Sequence, residues 1–497
     1  MLHFVLVVLG LLLLILYKFA TWNFGHWRRR NVREIRGLPL LGTFPNMVLL
    51  RRDFTLDIND LYMKYRKDHS YVGVFWLRSP KLLVLEPRLV HEVLTAGFRH
   101  FGDNNISKLV NWKNEKLTMC NPFSLKGQAW RKQRDIFNTL MTTARIRSAH
   151  NSMRRISEEL CDFIQRNCRS GQPQDVGDLA VLFNSEVLLE SVLGIRAGSF
   201  SDSPVVVKEI NKEKSDSLCL TLCWALECLF PFLPNCLRPS IFPQSYKQFF
   251  TELTREAFRL ARGRQNGKDF VSHLLALERD LELSEQELTS HAMTFMFDGL
   301  DTSSLTIAKC LFLLGQNPTC QQRLWLELRH AFPGKLPDLE TLNELDYLTA
   351  CVYESMRVNP SCGWILRSCT EEYTFHGSLH STALKVYPGD HVLLPLHGLY
   401  SDPQFFSNPE QFRPERFLDG GYQRFKKMGV FAPFGLGPRQ CVGIRLAWLQ
   451  VRAAVASIVY RFVVRTKNTE VNPQSDAPWL CDFISRTPNW DDQADPL

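Results

Sequence analysis

Apolar residues recur at three- and four-residue spacings through most of this chain, and that period predicts helices. The segments "GQAWRKQRDIFNTLM", "RRISEELCDFIQRN", "YKQFFTELTREAFRLARG" and "KDFVSHLLALERD" carry it, as do "SEQELTSHAMTFMFDGLDTSSLTIAKCLFLLGQN" and "PTCQQRLWLELRHAF". Strand-like runs are short and few: "YVGVFWL" and "KLLVLE" near the start, "ALKVYP" and "HVLLPL" later. The pattern predicts a mainly helical body with a small β-sheet region.

The first apolar run is different. Residues 2–17, "LHFVLVVLGLLLLILY", have no polar face, and a helix continued through Trp22 is about 30 Å long, one hydrocarbon thickness. No basic residue precedes the run and no small-residue cleavage site follows it, so an uncleaved anchor is preferred to a signal peptide. Trp22 and Trp27 read as an interfacial belt, and Arg28, Arg29, Arg30 and Arg33 as a positive flank that leaves the body on the cytosolic side. "RGLPLLGTFPN" then marks a stiff turn. The expected organisation is a transmembrane anchor at 1–24, a basic flank and Pro/Gly hinge at 25–46, and one large domain at 47–497.

Composition narrows the choice further. A 497-residue chain that is 45% apolar and 22% charged buries a large core, and it has no interior linker or repeat that would divide it. The net charge of +8 is modest and the basic residues form no long arm, which argues against nucleic acid as a partner. The 14 cysteines include no C-x2-C pair. Cys219, Cys223, Cys228 and Cys236 sit among apolar residues and read as small core hydrophobes.

Cys441 is framed otherwise, in "FAPFGLGPRQCVGIRLA". A cysteine just before a helix has its thiolate favoured by free backbone N–H groups, and Arg439 and Arg445 add positive charge. Gly435, Gly437 and Gly443 allow close approach of a flat group, with Pro438 stiffening the path. These local features suit a sulfur offered to a metal centre; a glycine-rich turn around a buried cysteine fits them equally.

The wider pattern carries a resemblance. "FGLGPRQCVG" is similar to the Phe-x-x-Gly-x-x-x-Cys-x-Gly signature of the cytochrome P450 haem-thiolate monooxygenases. "YESMR" resembles that family's Glu-x-x-Arg pair (Glu354, Arg357), and "FRPERF" its Pro-Glu-Arg-Phe element, with Arg416 as the third member of a buried polar triad. The matches run in family order over roughly residues 36–490, and their texture resembles the microsomal insect members.

The resemblance implies the P450 fold and haem b held by Cys441 as axial ligand of the iron. It implies Trp130, Arg134, Arg367 and Arg439 as partners of the haem propionates. "FDGLDTSS" resembles the oxygen-activation motif, in which Asp301 and Thr302 support proton transfer; the alternative is a Ser/Thr-rich helix bonding back to its own carbonyls. An apolar substrate follows, with electrons from NADPH through a flavoprotein reductase, a small electron-transfer haemoprotein as a further partner, and an endoplasmic reticulum membrane location. Arg131, Lys132, Arg424, Lys426 and Lys427 are candidates for a basic face toward an acidic reductase.

The chain departs from the family pattern in three places. The hinge lacks the usual Pro-Pro-Gly-Pro run, Tyr400 stands where histidine is common, and Asp298 replaces a small residue. Asp298 lies three and four residues before Asp301 and Thr302, on the same helix face. If that face overlooks the iron, burial and a second carboxylate are expected to keep it neutral near pH 7, able to donate a hydrogen bond toward oxygen at the site; the alternative is that it turns aside to bond neighbouring backbone or a water and only narrows the pocket.

Overall fold

The structure is a computed structural model. It describes residues 1–486 except 105, 110, 112–113, 170, 202–203, 215–217, 235–236, 265–268, 279, 333–336, 380–382 and 468–478, with backbone only at 210–214 and 218–220. The helices that position the site are α1 (Leu2–Ala20), α2 (Gly127–Leu140), α3 (Val176–Leu188) and α4 (Leu218–Leu229). They are joined by α5 (Glu285–Gln316), α6 (Asp346–Val358), α7 (Gly421–Lys427) and α8 (Ile444–Arg461). The helical segments expected from periodicity all form.

Helix α5 spans 32 residues, and its start is written in the sequence. Ser284 accepts from the Glu287 N–H while Glu287 accepts from the Ser284 N–H, a reciprocal cap that satisfies two otherwise orphan donors. The helix packs most extensively on α3. At Gly299 an added Cβ would come within 3.4 Å of Leu188, so the two helices already touch there. A buried amide chain adds direction to this packing: Asn184 of α3 donates to Ser304 of α5 (2.9 Å) and accepts from Gln450 of α8 (3.1 Å).

Among the described residues, nine strands form around this helical core: β1 (Tyr71–Trp76), β2 (Ser79–Val84), β3 (Gln174–Asp175), β4 (Ile365–Ser368), β5 (Tyr373–Phe375), β6 (Leu384–Val386), β7 (His391–Leu394), β8 (Phe462–Thr466) and β9 (Leu480–Ser485). The largest sheet has the order β1-β2-β7-β4, with β2 and β7 parallel and the other pairs antiparallel. The strands β1, β2, β6 and β7 match the apolar runs of the sequence. The others have no clear sequence signal: β4 and β5 are four and three residues long, and β8 begins at Phe462, directly after α8 ends at Arg461.

One reading of the N-terminal region is corrected here. Trp27 is not an interfacial residue: it is 0% exposed and lies against β1, where a Cβ on Gly73 would come 2.3 Å from its ring. Its backbone N–H and that of Gly25 donate to Glu34, so a carboxylate fixes this turn onto the sheet. Trp22, by contrast, is 75% exposed. Cys223 and Cys228 are buried free thiols, as expected of core hydrophobes; the side chains of Cys219 and Cys236 lie outside the described residues.

The most deeply buried charge cluster centres on α6. Glu354 and Arg357 form a two-pronged pair, 2.8 Å at each contact, and both are 0% exposed. Arg416 adds a third contact at 3.1 Å. The three residues therefore form a buried triad and not a solvated surface pair. Arg357 also donates to the carbonyls of Tyr400 and Pro409. Removing one partner strands a buried charge. Arg357→Ala is expected to destabilise the fold by about 3–5 kcal/mol, whereas Arg255→Ala, which breaks an exposed pair with Glu285, costs less than about 1 kcal/mol. Denaturant midpoints at matched m-values check the contrast.

Candidate active site

The loop before α8 owes its path to two glycines in left-handed conformations, Gly435 (φ 71°) and Gly437 (φ 69°). Gly437 is forced by space as well, because a Cβ there would lie 2.0 Å from the Leu94 carbonyl oxygen. The loop closes through the Cys441 N–H, which donates to the Phe434 carbonyl at 2.8 Å. Cys441 is walled in by protein and yet accessible, so its sulfur opens onto an interior surface. Burial pushes its pKa up and the Asp298 carboxylate pushes it further, while the Gly443 N–H and the Arg134 guanidinium act in the opposite direction. The Asp298 effect means that α5 passes near the sulfur.

Positive charge gathers behind the same loop. Arg134 of α2 donates to the Gln440 carbonyl at 2.6 Å. Arg439 lies over the Trp130 ring, 4.4 Å from its centroid, and donates to the carbonyls of Gly102, Pro122 and Leu125 and to Asp103. Arg367 on β4 is buried, and among the described residues its one hydrogen bond is a 3.3 Å contact to the neighbouring Leu366 carbonyl. Burial lowers the pKa of both Arg367 and Arg439 to about 10, and each also feels Asp103; Arg367 repels Arg439. Arg367 and Arg439 thus share Asp103, while Arg134 is attracted by Cys441 and Asp135. Buried charge in such excess calls for an anion to complete it.

On the facing side, Asp298, Asp301 and Thr302 are accessible in a stretch of α5 where Leu300, Ser303 and Ser304 are buried. The Thr302 hydroxyl donates to the Asp298 carbonyl at 2.8 Å. Bonding back along the helix therefore does occur, and it leaves the oxygen's lone pairs free to accept. Asp298 accepts from the Asn121 side-chain amide at 3.2 Å, and burial raises its pKa to about 6. Two parts of the expectation for Asp298 are corrected. No second carboxylate contributes to the shift, and a group with pKa near 6 is chiefly ionised at pH 7.

Sequence reasoning missed three residues here. Asp103 is the counter-charge for Arg439 (3.2 Å), Asn121 holds Asp298, and Cys362, in the loop after α6, is an accessible thiol walled in by protein. Nothing in the local sequence marks Asp103 or Asn121, since each acts across more than 50 residues of chain. The donor set fits haem: a glycine-framed sulfur, a tight loop admitting a flat group, and buried guanidiniums short of negative charge, as two propionates would supply.

Residues 35–490 match the family described as cytochrome P450. The chain is 50% identical over 466 residues to "Probable cytochrome P450 28c1" of Drosophila melanogaster, covering 92% of each chain. It is 31% identical over 500 residues to "Probable cytochrome P450 28d1" of the same fly (97% and 98% covered), and 26% identical over 486 residues to "Cytochrome P450 6B6" of Helicoverpa armigera (94% of each). The chain belongs to the cytochrome P450 family. It is a haem-thiolate monooxygenase, of a family that uses haem with a cysteine thiolate as axial ligand and electrons derived from NADPH through a reductase.

Gly437→Ala places a methyl group against the Leu94 carbonyl and is expected to lose most of the bound haem. Gly420→Ala, at φ 75° with open space around it, costs only about 1–2 kcal/mol and keeps its haem. The ratio of Soret to protein absorbance distinguishes the two variants.

Proposed function

We propose that this protein is a membrane-anchored enzyme of the endoplasmic reticulum that inserts one oxygen atom of dioxygen into an apolar small molecule, with Cys441 as the haem ligand. The observation that carries the reading is the convergence of the Cys441 sulfur, three arginines and the Asp298–Thr302 face on one interior surface. Haem bound through a thiolate supplies the oxygen-activating chemistry, since electron donation from sulfur favours O–O cleavage.

The chain's own residues supply binding and protons. Trp130, Arg134, Arg367 and Arg439 would hold the propionates, and Arg134 and the Gly443 N–H act toward the deprotonated sulfur against the effect of burial. Thr302, with its hydroxyl proton committed to the Asp298 carbonyl, accepts a hydrogen bond from a water or an incoming proton donor. Asp301, one residue away on the same face, exchanges that proton with water. Buried neighbours on α5 keep bulk water away from the reacting position.

Electrons are proposed to arrive from an NADPH-dependent flavoprotein reductase, or a small haemoprotein, at a basic face. Arg131 and Lys132 on α2, Arg424 and Lys427 on α7, and Arg445 at the start of α8 are exposed, and Lys426 is half-buried beside the Tyr422 ring. Such charges steer an acidic partner. Cys441→Ala is expected to abolish the strongly red-shifted Soret band of the reduced carbon monoxide complex, because alanine offers no thiolate. Survival of that band would remove the ligand assignment, and the same loss should end reductase-dependent consumption of NADPH and dioxygen.

Two features support the membrane anchor. Nearly all of α1 is exposed, and it is apolar enough to cross a bilayer. Its end is tied to the body by Arg78, which donates to the Phe19 carbonyl (2.9 Å) and lies over its ring. Phe19 also meets Phe230, ring centroids 5.6 Å apart, beside Phe232 at 94% exposure and Leu237 at 67%. This apolar patch is a second membrane contact. Deleting residues 1–24 is expected to weaken liposome flotation without ending it; adding Phe230→Glu and Phe232→Glu should end it.

A further inference from the structure

The Asp298 carboxylate is an anion that the protein itself leaves half satisfied. One of its oxygens accepts from Asn121, at 3.2 Å. Asn121 is buried, and its amide oxygen accepts from the Phe123 N–H at 2.7 Å. That second bond fixes the sense of the amide, so its N–H2 is turned to the acid and cannot be exchanged for its carbonyl. The other Asp298 oxygen takes no hydrogen bond, and no cation among the described residues pairs with the group. Arg439 is engaged by Asp103 and three backbone carbonyls, and Arg134 by the Gln440 carbonyl.

Asp298 is also walled in by protein while remaining accessible, which means that its free oxygen looks onto the same interior surface as the Cys441 sulfur. An ionised carboxylate in such surroundings is unfavourable unless a positive charge or strong donors complete it. The chain provides one neutral donor, held rigidly to one side.

We infer that Asp298, backed by Asn121, is the recognition site for a cationic nitrogen in the substrate, so that this enzyme takes amphiphilic organic ammonium ions in preference to neutral molecules of the same shape. This rests on the monooxygenase reading and narrows its substrate class. The ammonium group pairs with the free carboxylate oxygen while the hydrocarbon part fills the apolar interior. Protonated tertiary amines suit the site best, because their single N–H matches one open oxygen. Ionisation of Asp298 at neutral pH is consistent with this role.

The test uses the purified holoenzyme in detergent at neutral pH and two probes of matched shape, the dimethyl(phenethyl)ammonium ion and its carbon isostere isopentylbenzene. Dissociation constants are measured by equilibrium dialysis and by the Soret shift. The parent is expected to bind the ammonium ion about tenfold or more tightly than the isostere, the preference a charge-assisted hydrogen bond gives. Asp298→Asn should remove the preference while leaving isostere affinity and the carbon monoxide spectrum unchanged, and Asp298→Glu should retain part of it. Equal binding of the two probes by the parent would overturn the inference. So would a preference that persists in Asp298→Asn, the result expected if nitrogen coordinates iron directly. Dialysis reports binding whether or not haem is loaded: a parent without the red-shifted band whose ammonium binding still falls in Asp298→Asn would sink the haem reading and leave the recognition site standing.

Discussion

Glu354 is the carboxylate on which the placement of the ligand loop depends. One of its oxygens accepts from Arg357, Arg416 and the Arg413 N–H at once. Arg357 then spends its remaining donors on the carbonyls of Tyr400, Pro409 and Gln411, and Arg416 donates to that of Asn408. The irregular stretch 400–417 has few ladder partners of its own, so buried guanidiniums take the place of secondary structure. From its start, the Tyr400 hydroxyl accepts from the Ala432 N–H, at the entrance to the loop that presents Cys441. The departure at Tyr400 is therefore accommodated by a buried ring whose oxygen serves the loop directly.

The interior surface beyond that loop is electrically divided. Arg134, Arg367 and Arg439 gather excess positive charge near the sulfur's own segment, while α5 presents Asp298 and Asp301. The two sides do not neutralise each other, because Arg439 and Arg134 are held by local carbonyls and by Asp103. On the proposed reading, the propionates would complete the arginine side and a cationic substrate would complete Asp298. Thr302 lies between these demands, its proton fixed and its lone pairs free.

Helix α1 and the body are one mechanical unit at their junction. Glu34 gathers the turn after α1, Trp27 is pressed into the sheet, and Arg78 grips the Phe19 carbonyl. A membrane held by α1 would thus also meet the exposed Phe232 and Leu237, fixing the tilt of the body.

By itself the sequence determined the helices, whose three- and four-residue periods survive any context, and the reciprocal cap of α5, which is local chemistry between Ser284 and Glu287. It also determined the framing of Cys441, because left-handed backbone at Gly435 and Gly437 demands glycine wherever the rest of the chain lies. Tertiary structure alone decided the rest. The pair at Glu354 and Arg357 reads as a surface contact until Arg416 arrives from 59 residues beyond Arg357 to bury it. Trp27 beside arginines looks interfacial until Gly73 opens a slot for its ring. The strands β4, β5 and β8 are too short for alternation to register, and are fixed by their partners. Asp298 is marked in sequence only as a departure. That it lies near Cys441, held by Asn121 and, among the described residues, by no cation, follows from long-range packing, since charge compensation is a property of neighbours in space and not of neighbours in the chain.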